Sequence, residues 1–165
     1  MKKNAAIQSN HIQIAVKRLA GMINKRYRGQ QVVFVGILNG CFMFFSDLMK
    51  HVNVDNEVDF ICYRSYQDNC VGEGVLRKGL DLNVKDKVVI CIDEMVDSGG
   101  TKRVLTKLIQ EKGAKEVKWC FLLQRGFQDN DEDLIGMKVN PAFFYYGYGL
   151  DDKEKNRHLT DIYTC

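Results

Sequence analysis

Three carboxylates and a turn of small residues lie together in the segment 88–101. The segment begins with an apolar run, 88–92, which is typical of a strand buried on both faces of a sheet. The run is followed by Asp93, Glu94, Asp97 and the string Ser98-Gly99-Gly100-Thr101. Backbone N–H groups at the start of a helix bind phosphate, and glycines let the backbone approach the anion closely. We therefore expect this turn to bind a phosphate group.

The two adjacent carboxylates would repel a phosphate bound beside them. They therefore need hydrogen-bond donors or a cation as partners. The vicinal hydroxyl groups of a ribose can donate hydrogen bonds to Asp93 and Glu94 while the turn holds a 5′-phosphate. A Mg²⁺ ion, which prefers carboxylate and phosphate oxygens, would offset the remaining negative charge. The segment therefore predicts a ribose-phosphate site. The alternative is a surface turn in which Asp97-Ser98 caps a helix, which is common for Asp-Ser-Gly alone.

Alternating strand and helix patterns place the residues 93–101 at the carboxyl ends of the strands of a sheet. We predict helices at 5–27, 41–50 and 101–112 and strands at 32–38, 58–63, 88–92, 117–123 and 143–146. Solid apolar strands that alternate with helices indicate an α/β fold with a mostly parallel β-sheet flanked by helices. Ligands of such sheets bind outside the carboxyl ends of the strands, which is where the segment 93–101 follows its strand.

Length and composition narrow the classes of function. The 165 residues correspond to one domain. The net charge of +3 is too small an excess of positive charge to indicate nucleic-acid binding. The apolar runs are shorter than the roughly 18–20 residues of a membrane span, and the first ten residues lack a signal-peptide core. The six cysteines form no Cys-x-x-Cys pair and the three histidines show no ligand spacing, so we expect reduced thiols and no zinc. We expect a cytoplasmic protein that binds neither nucleic acid nor a membrane.

The sequence resembles the type I phosphoribosyltransferases, and among them the hypoxanthine-guanine phosphoribosyltransferases. The segment 88–101 is similar to their phosphoribosyl-pyrophosphate motif. Five further strings follow the order of the family over nearly the whole chain: Val35-Gly36-Ile37-Leu38-Asn39-Gly40, Glu57-Val58-Asp59-Phe60, Arg64-Ser65-Tyr66, Leu122-Leu123-Gln124-Arg125 and Gly147-Tyr148-Gly149-Leu150-Asp151. The resemblance implies one phosphoribosyltransferase domain over 1–165, with a lid loop at about 64–78 and a small purine-binding hood at about 125–165.

The resemblance also implies an activity. A phosphoribosyltransferase of this kind transfers ribose 5-phosphate from phosphoribosyl pyrophosphate to N9 of hypoxanthine or guanine, giving IMP or GMP and pyrophosphate. Bond breaking develops positive charge on the ribose and negative charge on the leaving group, which Mg²⁺ and cationic side chains stabilise. The resemblance further implies a homodimer or homotetramer.

Each matching residue receives a role from the resemblance. Asp97 matches the general base that takes the proton from purine N7 while N9 attacks. The phosphoribosyl group is expected at Asp93, Glu94, Asp97, Ser98, Gly99, Gly100 and Thr101. Pyrophosphate is expected at Asn39, Gly40 and Arg157, the purine at Arg125, Phe144, Tyr145 and Asp151, and the lid at Ser65 and Tyr66. The Mg²⁺ ion is expected near Asp151, Asp93 and Glu94.

Three positions depart from the family pattern. Asn39 stands where a Lys or Arg is usual, which affects pyrophosphate binding. Asp93-Glu94 reverses the usual Glu-Asp order. Arg125 replaces a lysine and so exchanges a flexible point charge for a planar fork of donors, which leaves the preference among hypoxanthine, guanine and xanthine open.

Two alternatives to a purine phosphoribosyltransferase remain open from the sequence. The first is a regulator that keeps the fold and binds a nucleotide or RNA without turnover. Carboxylates such as Asp97 and Asp151 favour the enzyme, since an RNA-binding protein does not need them. The second alternative keeps the catalysis but changes the base to a pyrimidine, and Phe144 with Arg125 favours a purine.

Overall fold

The structure is a computed structural model that describes residues 5–64, 74–126 and 133–165. Within these ranges, three helices and eight strands form in the order α1 (Ser9–Arg26), β1 (Gln31–Leu38), α2 (Phe42–Met49), β2 (Asp55–Arg64), β3 (Val75–Lys78), β4 (Val88–Val96), α3 (Gly100–Glu111), β5 (Glu116–Arg125), β6 (Leu134–Val139), β7 (Tyr145–Tyr146) and β8 (Tyr163–Thr164). The predicted α/β fold is confirmed.

The main sheet has the strand order β3-β2-β1-β4-β5-β6. Strands β2, β1, β4, β5 and β6 are parallel, and β3 pairs antiparallel with β2 at one edge. The two central strands, β1 and β4, are apolar and almost entirely buried, because helices cover both faces of the sheet. Their carboxyl ends are neighbours, since Gly36 of β1 pairs with Ile92 of β4. The loop after β1 therefore lies beside the carboxylates at the end of β4.

Helices α1 and α2 pack on one face of the sheet and α3 packs on the other. The buried side of α1 follows helical spacing and consists of Ile12, Ala15, Val16, Leu19, Ala20 and Ile23. Met22 does not belong to this buried side, since it is 42% exposed and its sulfur contacts Arg18 at the edge of the apolar stripe. Among the described residues, no helix has both the length and the apolar character needed to cross a bilayer.

The strand predictions need correction in several places. Strands β3 and β8 were not predicted: β3 lies in the segment predicted as a lid loop at about 64–78, and β8 has only two residues. Strand β6 was missed, because a polar stretch precedes it and Gly136 interrupts its apolar pattern. That glycine is required by packing, since a Cβ would lie 2.5 Å from the carbonyl oxygen of Leu122 on β5. The predicted strand 143–146 is wrong in its first half: β7 contains only Tyr145–Tyr146 and pairs with β8 in a separate two-stranded sheet. Phe143 and Phe144 precede β7 and are each nearly half exposed.

Buried ion pairs connect the edges of the sheet to the elements around them. The ammonium of Lys102 in α3 lies 2.6 Å from the carboxylate of Asp133, and both side chains are less than one-tenth exposed. This pair holds the first turn of α3 against the start of β6. On β2, the carboxylate of Asp59 is buried and accepts four hydrogen bonds, from the N–H groups of Phe60, Asp81 and Leu82 and from the ammonium of Lys78.

The hydrogen bonds at Asp59 determine its ionisation. Burial by itself would raise the pKa of this carboxyl group, but the N–H groups of Leu82 and Phe60 and the Lys78 ammonium outweigh burial and lower the pKa below its usual value. The ionised carboxylate therefore stabilises the connection between β2 and the segment that follows β3.

We predict that Asp59→Asn lowers the free energy of unfolding by about 2 kcal/mol at pH 7, because four donors lose their charged acceptor. The folded-state pKa of Asp59 is lowered, so its contribution is present above the usual aspartate pKa and is lost as the pH falls through the lowered value. Urea unfolding from pH 7 to pH 3 should show the difference between wild type and variant shrinking below about pH 4. Asp55→Asn, at the exposed start of β2, is the control; an equal effect of the two variants would contradict this account.

Candidate active site

Three loops meet at the carboxyl ends of β1 and β4, and two glycines allow it. A Cβ on Gly40, in the loop after β1, would lie 1.8 Å from Oε1 of Glu94. A Cβ on Gly149 would lie 2.0 Å from the carbonyl oxygen of Gly40, and the φ of Gly149 is +97°, which favours glycine. The strings around Gly40, Glu94 and Gly149, far apart in sequence, are therefore in direct contact.

The acidic pair at the end of β4 carries negative charge that the described protein does not fully compensate. The N–H of Glu94 donates to Oδ1 of Asp93 at 3.0 Å. Oε2 of Glu94 is buried and has no hydrogen-bond partner among the described residues. Burial and the neighbouring charge of Glu94 raise the pKa of Asp93 well above its usual value. Burial, followed by the charges of the same two carboxylates, also raises the pKa of the Cys41 thiol. The pair is therefore suited to a divalent cation or to hydroxyl donors.

The turn before α3 combines the exposed residues Asp97 and Ser98 with a buried Gly99. Gly99 occupies the N-cap position with a φ of +74° and has no side chain to cap the helix, so the side-chain contact at the first amide group comes from Ser98. Asp97 and Ser98 are exposed, and Thr101 is partly exposed. Oγ of Ser98 accepts a hydrogen bond from the N–H of Gly100 at 3.4 Å. The side-chain surface of this turn is therefore open to solvent at Asp97 and Ser98, a few residues after the acidic pair on β4.

Arg125, the last residue of β5, joins Asp97 to the aromatic segment before β7. One arm of its guanidinium forms an ion pair with Asp97, and the other donates to the carbonyl oxygen of Phe143 at 3.2 Å. The hydrogen bond to Asp97 raises the pKa of Arg125. The predicted general base and the predicted purine donor are thus in direct contact. Phe144 is 45% exposed and offers a ring face, whereas Tyr145 is buried with its hydroxyl donating to the carbonyl oxygen of Asn140.

Arg157 is fixed by three oxygens of the C-terminal segment. Its Nη1 donates to the carbonyl oxygen of Gly149 at 2.9 Å, and its Nη2 lies 3.0 Å from Asp151 and 2.9 Å from Glu154. The other oxygen of the Glu154 carboxylate lies 2.7 Å from Arg64. Sequence reasoning missed the roles of Arg64 and Glu154; the only available signal was the spacing of Glu154 three residues before Arg157.

The structure brings the predicted residues together in two groups. One group lies around the three loops and contains Gly40, Asp93, Glu94, Asp151 and Arg157. The other lies around Arg125 and contains Asp97 and the segment 143–144. Asn39 is exposed in the loop after β1 and follows a cis peptide bond. Ser65 and Tyr66 lie outside the described residues. The described residues contain no cluster of three or more His, Cys, Asp or Glu side chains that is already arranged around a metal ion.

The chain is similar to known proteins over nearly its whole length. The model of the phosphoribosyl transferase domain matches residues 4–144. The curated hypoxanthine-guanine phosphoribosyltransferase of Bacillus subtilis (strain 168) is 33% identical over 161 residues, which cover 94% of this chain and 89% of that protein. The corresponding protein of Staphylococcus aureus (strain Mu50 / ATCC 700699) is 32% identical over 167 residues, with coverage of 98% and 93%. A crystal structure of a hypoxanthine-guanine phosphoribosyltransferase from Bacillus anthracis, with a HEPES molecule in its active site, has a TM-score of 0.91 at 32% identity and covers 99% of this chain and 98% of that chain.

We predict that Gly149→Ala lowers the free energy of unfolding by about 3 kcal/mol, because the added Cβ meets the backbone of Gly40 and the positive φ strains an alanine. Urea unfolding measures the effect. Gly21→Ala in α1 is the matched control, since a Cβ there has nothing within 4 Å and should raise stability by about 0.5–1 kcal/mol. A Gly149→Ala variant as stable as wild type would contradict the close contact between the two loops.

Proposed function

The chain belongs to the phosphoribosyl transferase family, and from this premise we propose that it is a purine-salvage enzyme acting on a 6-oxopurine. It transfers ribose 5-phosphate from phosphoribosyl pyrophosphate to N9 of hypoxanthine or guanine and releases IMP or GMP and pyrophosphate. The observation that carries this proposal is the position of the acidic pair, Asp93 and Glu94, in β4, a few residues before the glycine-capped start of α3. The buried Oε2 of Glu94 has no hydrogen-bond partner among the described residues and can accept from a hydroxyl group or bind a cation. The start of α3 favours an anion. A ribose phosphate satisfies both.

A magnesium ion fits the residues of this site. The acidic pair offers carboxylate oxygens, which Mg²⁺ prefers. Burial, followed by the neighbouring Glu94 carboxylate, raises the pKa of Asp93, and a bound cation would favour its ionised form. Asp93, Glu94 and Asp151 would hold the ion, directly or through its hydration shell. When bound, Mg²⁺ neutralises charge on the diphosphate and on the leaving pyrophosphate.

The side chains of the chain itself account for base activation and orientation. Asp97 is half exposed and ion-paired with Arg125, so its carboxylate can be reached by the base and can take the proton from N7 as N9 attacks the ribose. The guanidinium of Arg125 has five N–H donors, and the contacts with Asp97 and the carbonyl oxygen of Phe143 leave others for the 6-oxo group. The exposed ring of Phe144 is suited to stack on the planar base. Arg125 would then orient the base and Asp97 together.

The regulatory alternative has less support. An ion-paired Asp97 and an arginine-held Asp151 serve proton transfer and a charged leaving group, and a protein that only binds RNA has no use for them. The relatives that the chain matches over most of their length are named as hypoxanthine-guanine phosphoribosyltransferases. The proposal includes a cytoplasmic location and a homodimer or homotetramer, both of which rest on the resemblance to that family.

We predict that the protein, incubated with Mg²⁺ and phosphoribosyl pyrophosphate, forms a nucleotide from hypoxanthine or guanine but not from adenine or uracil. Chelating the metal should abolish the product. Asp97→Asn should lower turnover by about 100-fold or more, because the proton acceptor is lost. Asp55→Asn, at the opposite end of the sheet, should turn over like wild type. The absence of nucleotide from every base, together with tight and salt-sensitive RNA binding, would favour the regulator.

A second prediction concerns the uncharged loop after β1. Asn39→Lys should tighten pyrophosphate binding about three- to tenfold if this loop faces the pyrophosphate, because a charged donor is added beside an anion. Calorimetric titration with inorganic pyrophosphate and Mg²⁺ measures the affinity. Gln31→Lys adds the same charge at the exposed other end of β1 and should have no effect. An unchanged affinity of the Asn39→Lys variant would count against this placement of the loop.

A further inference from the structure

Two arginines from distant parts of the chain converge on a single carboxylate. Nη2 of Arg64 lies 2.7 Å from Oε1 of Glu154, and Nη2 of Arg157 lies 2.9 Å from Oε2 of the same residue. Arg64 ends β2, whereas Glu154 and Arg157 belong to the segment that follows Gly149. The two guanidinium groups are therefore close enough to bind one small oxyanion together.

Both guanidinium groups lie beside the loop that contains Asn39 and Gly40. Leu38, the last residue of β1, pairs with Cys62 of β2, so Arg64 extends two residues beyond the end of β1 on the neighbouring strand. Arg157 donates to the carbonyl oxygen of Gly149, whose backbone lies against Gly40. The two residues of the loop are uncharged. Arg64 and Arg157 therefore flank this loop from two sides with positive charge.

Glu154 holds these arginines on the surface of the protein, where another anion can replace it. The side chains of Glu154 and Arg64 are 56% and 46% exposed, and exposed ion pairs contribute little to stability. The hydrogen bond from Arg157, followed by the charge of Arg64, lowers the pKa of Glu154, so the carboxylate is ionised at neutral pH. A diphosphate carries more charge than a carboxylate and accepts the paired donors of a guanidinium well.

We propose that Arg64 and Arg157 together bind the diphosphate of the sugar donor and the pyrophosphate product, and that Glu154 occupies both guanidinium groups when no anion is bound. This inference rests on the proposed function and adds Arg64 to its binding residues. Arg157 keeps its contacts with Asp151 and Gly149 when Glu154 leaves, so it stays oriented. Arg64 supplies positive charge beside a loop whose own residue, Asn39, has none.

The test is calorimetric titration with inorganic pyrophosphate and Mg²⁺. Arg64→Gln should weaken binding about three- to tenfold and raise the KM for phosphoribosyl pyrophosphate, with the KM for the purine unchanged. Arg64→Lys keeps the positive charge and should recover part of the affinity. Arg28→Gln, at an exposed position between α1 and β1, is the matched control and should bind like wild type. Wild-type affinity in Arg64→Gln would overturn the proposal.

Glu154→Gln tests whether the Glu154 carboxylate competes with the bound anion or only holds the two arginines in place. If the carboxylate competes with the anion, the neutral amide should tighten pyrophosphate binding about two- to fivefold. Unchanged or weaker binding would overturn the role assigned to Glu154.

The two proposals fail in distinguishable ways. If the protein forms nucleotide but Arg64→Gln binds pyrophosphate like wild type, only the assignment of Arg64 is wrong. If Arg64→Gln weakens pyrophosphate binding but the wild type forms no nucleotide from any base, the anion site stands and the proposed function is wrong.

Discussion

The contact of Gly40 with Glu94 on one side and Gly149 on the other is the constraint on which the site depends. No side chain larger than hydrogen fits at either glycine without moving a carboxylate or a backbone carbonyl group. The contact brings the loop after β1, the end of β4 and the C-terminal segment together, and Arg157 follows because it donates to the carbonyl oxygen of Gly149. The central position of β1 and β4 in a parallel sheet makes this contact possible, since their carboxyl ends are neighbours.

Charge is distributed unevenly over this site. Arg125 is bound to Asp97, and Arg157 is bound to Asp151 and Glu154. In the pair Asp93 and Glu94, by contrast, Oε2 of Glu94 is buried without a hydrogen-bond partner among the described residues. A substrate that carries a phosphate, a diol and a metal ion would complement this distribution: the anion binds at the helix start and at the arginines, and the cation or the diol at the acidic pair. The ion pair of Lys102 with Asp133 stabilises the position of the helix start, because it fixes the first turn of α3 to the start of β6.

Much of the fold followed from local patterns, and the connections between distant segments did not. The buried runs of β1 and β4 and the helix that ends before Gly113 could be predicted, because burial on both faces leaves a solid apolar run and glycine ends a helix. Strand β6 was missed, since its pattern is short and is interrupted by a glycine that packing on β5 requires. The acidic pair and the turn before α3 were found because they are contiguous in sequence. The bridge from Arg64 through Glu154 to Arg157 was not, since it joins residues ninety positions apart.

The central claim is that a sugar phosphate binds with its phosphate on the amide groups of 98–101 and its diol on the acidic pair at the end of β4. A crystal structure of the protein with GMP and Mg²⁺ tests it most directly. The account predicts phosphate oxygens within about 3.2 Å of those amide nitrogens and a ribose hydroxyl, or a metal-bound water, on Asp93 or Glu94. A nucleotide whose phosphate lies away from this turn, with the acidic pair touching neither ribose nor metal, would contradict it.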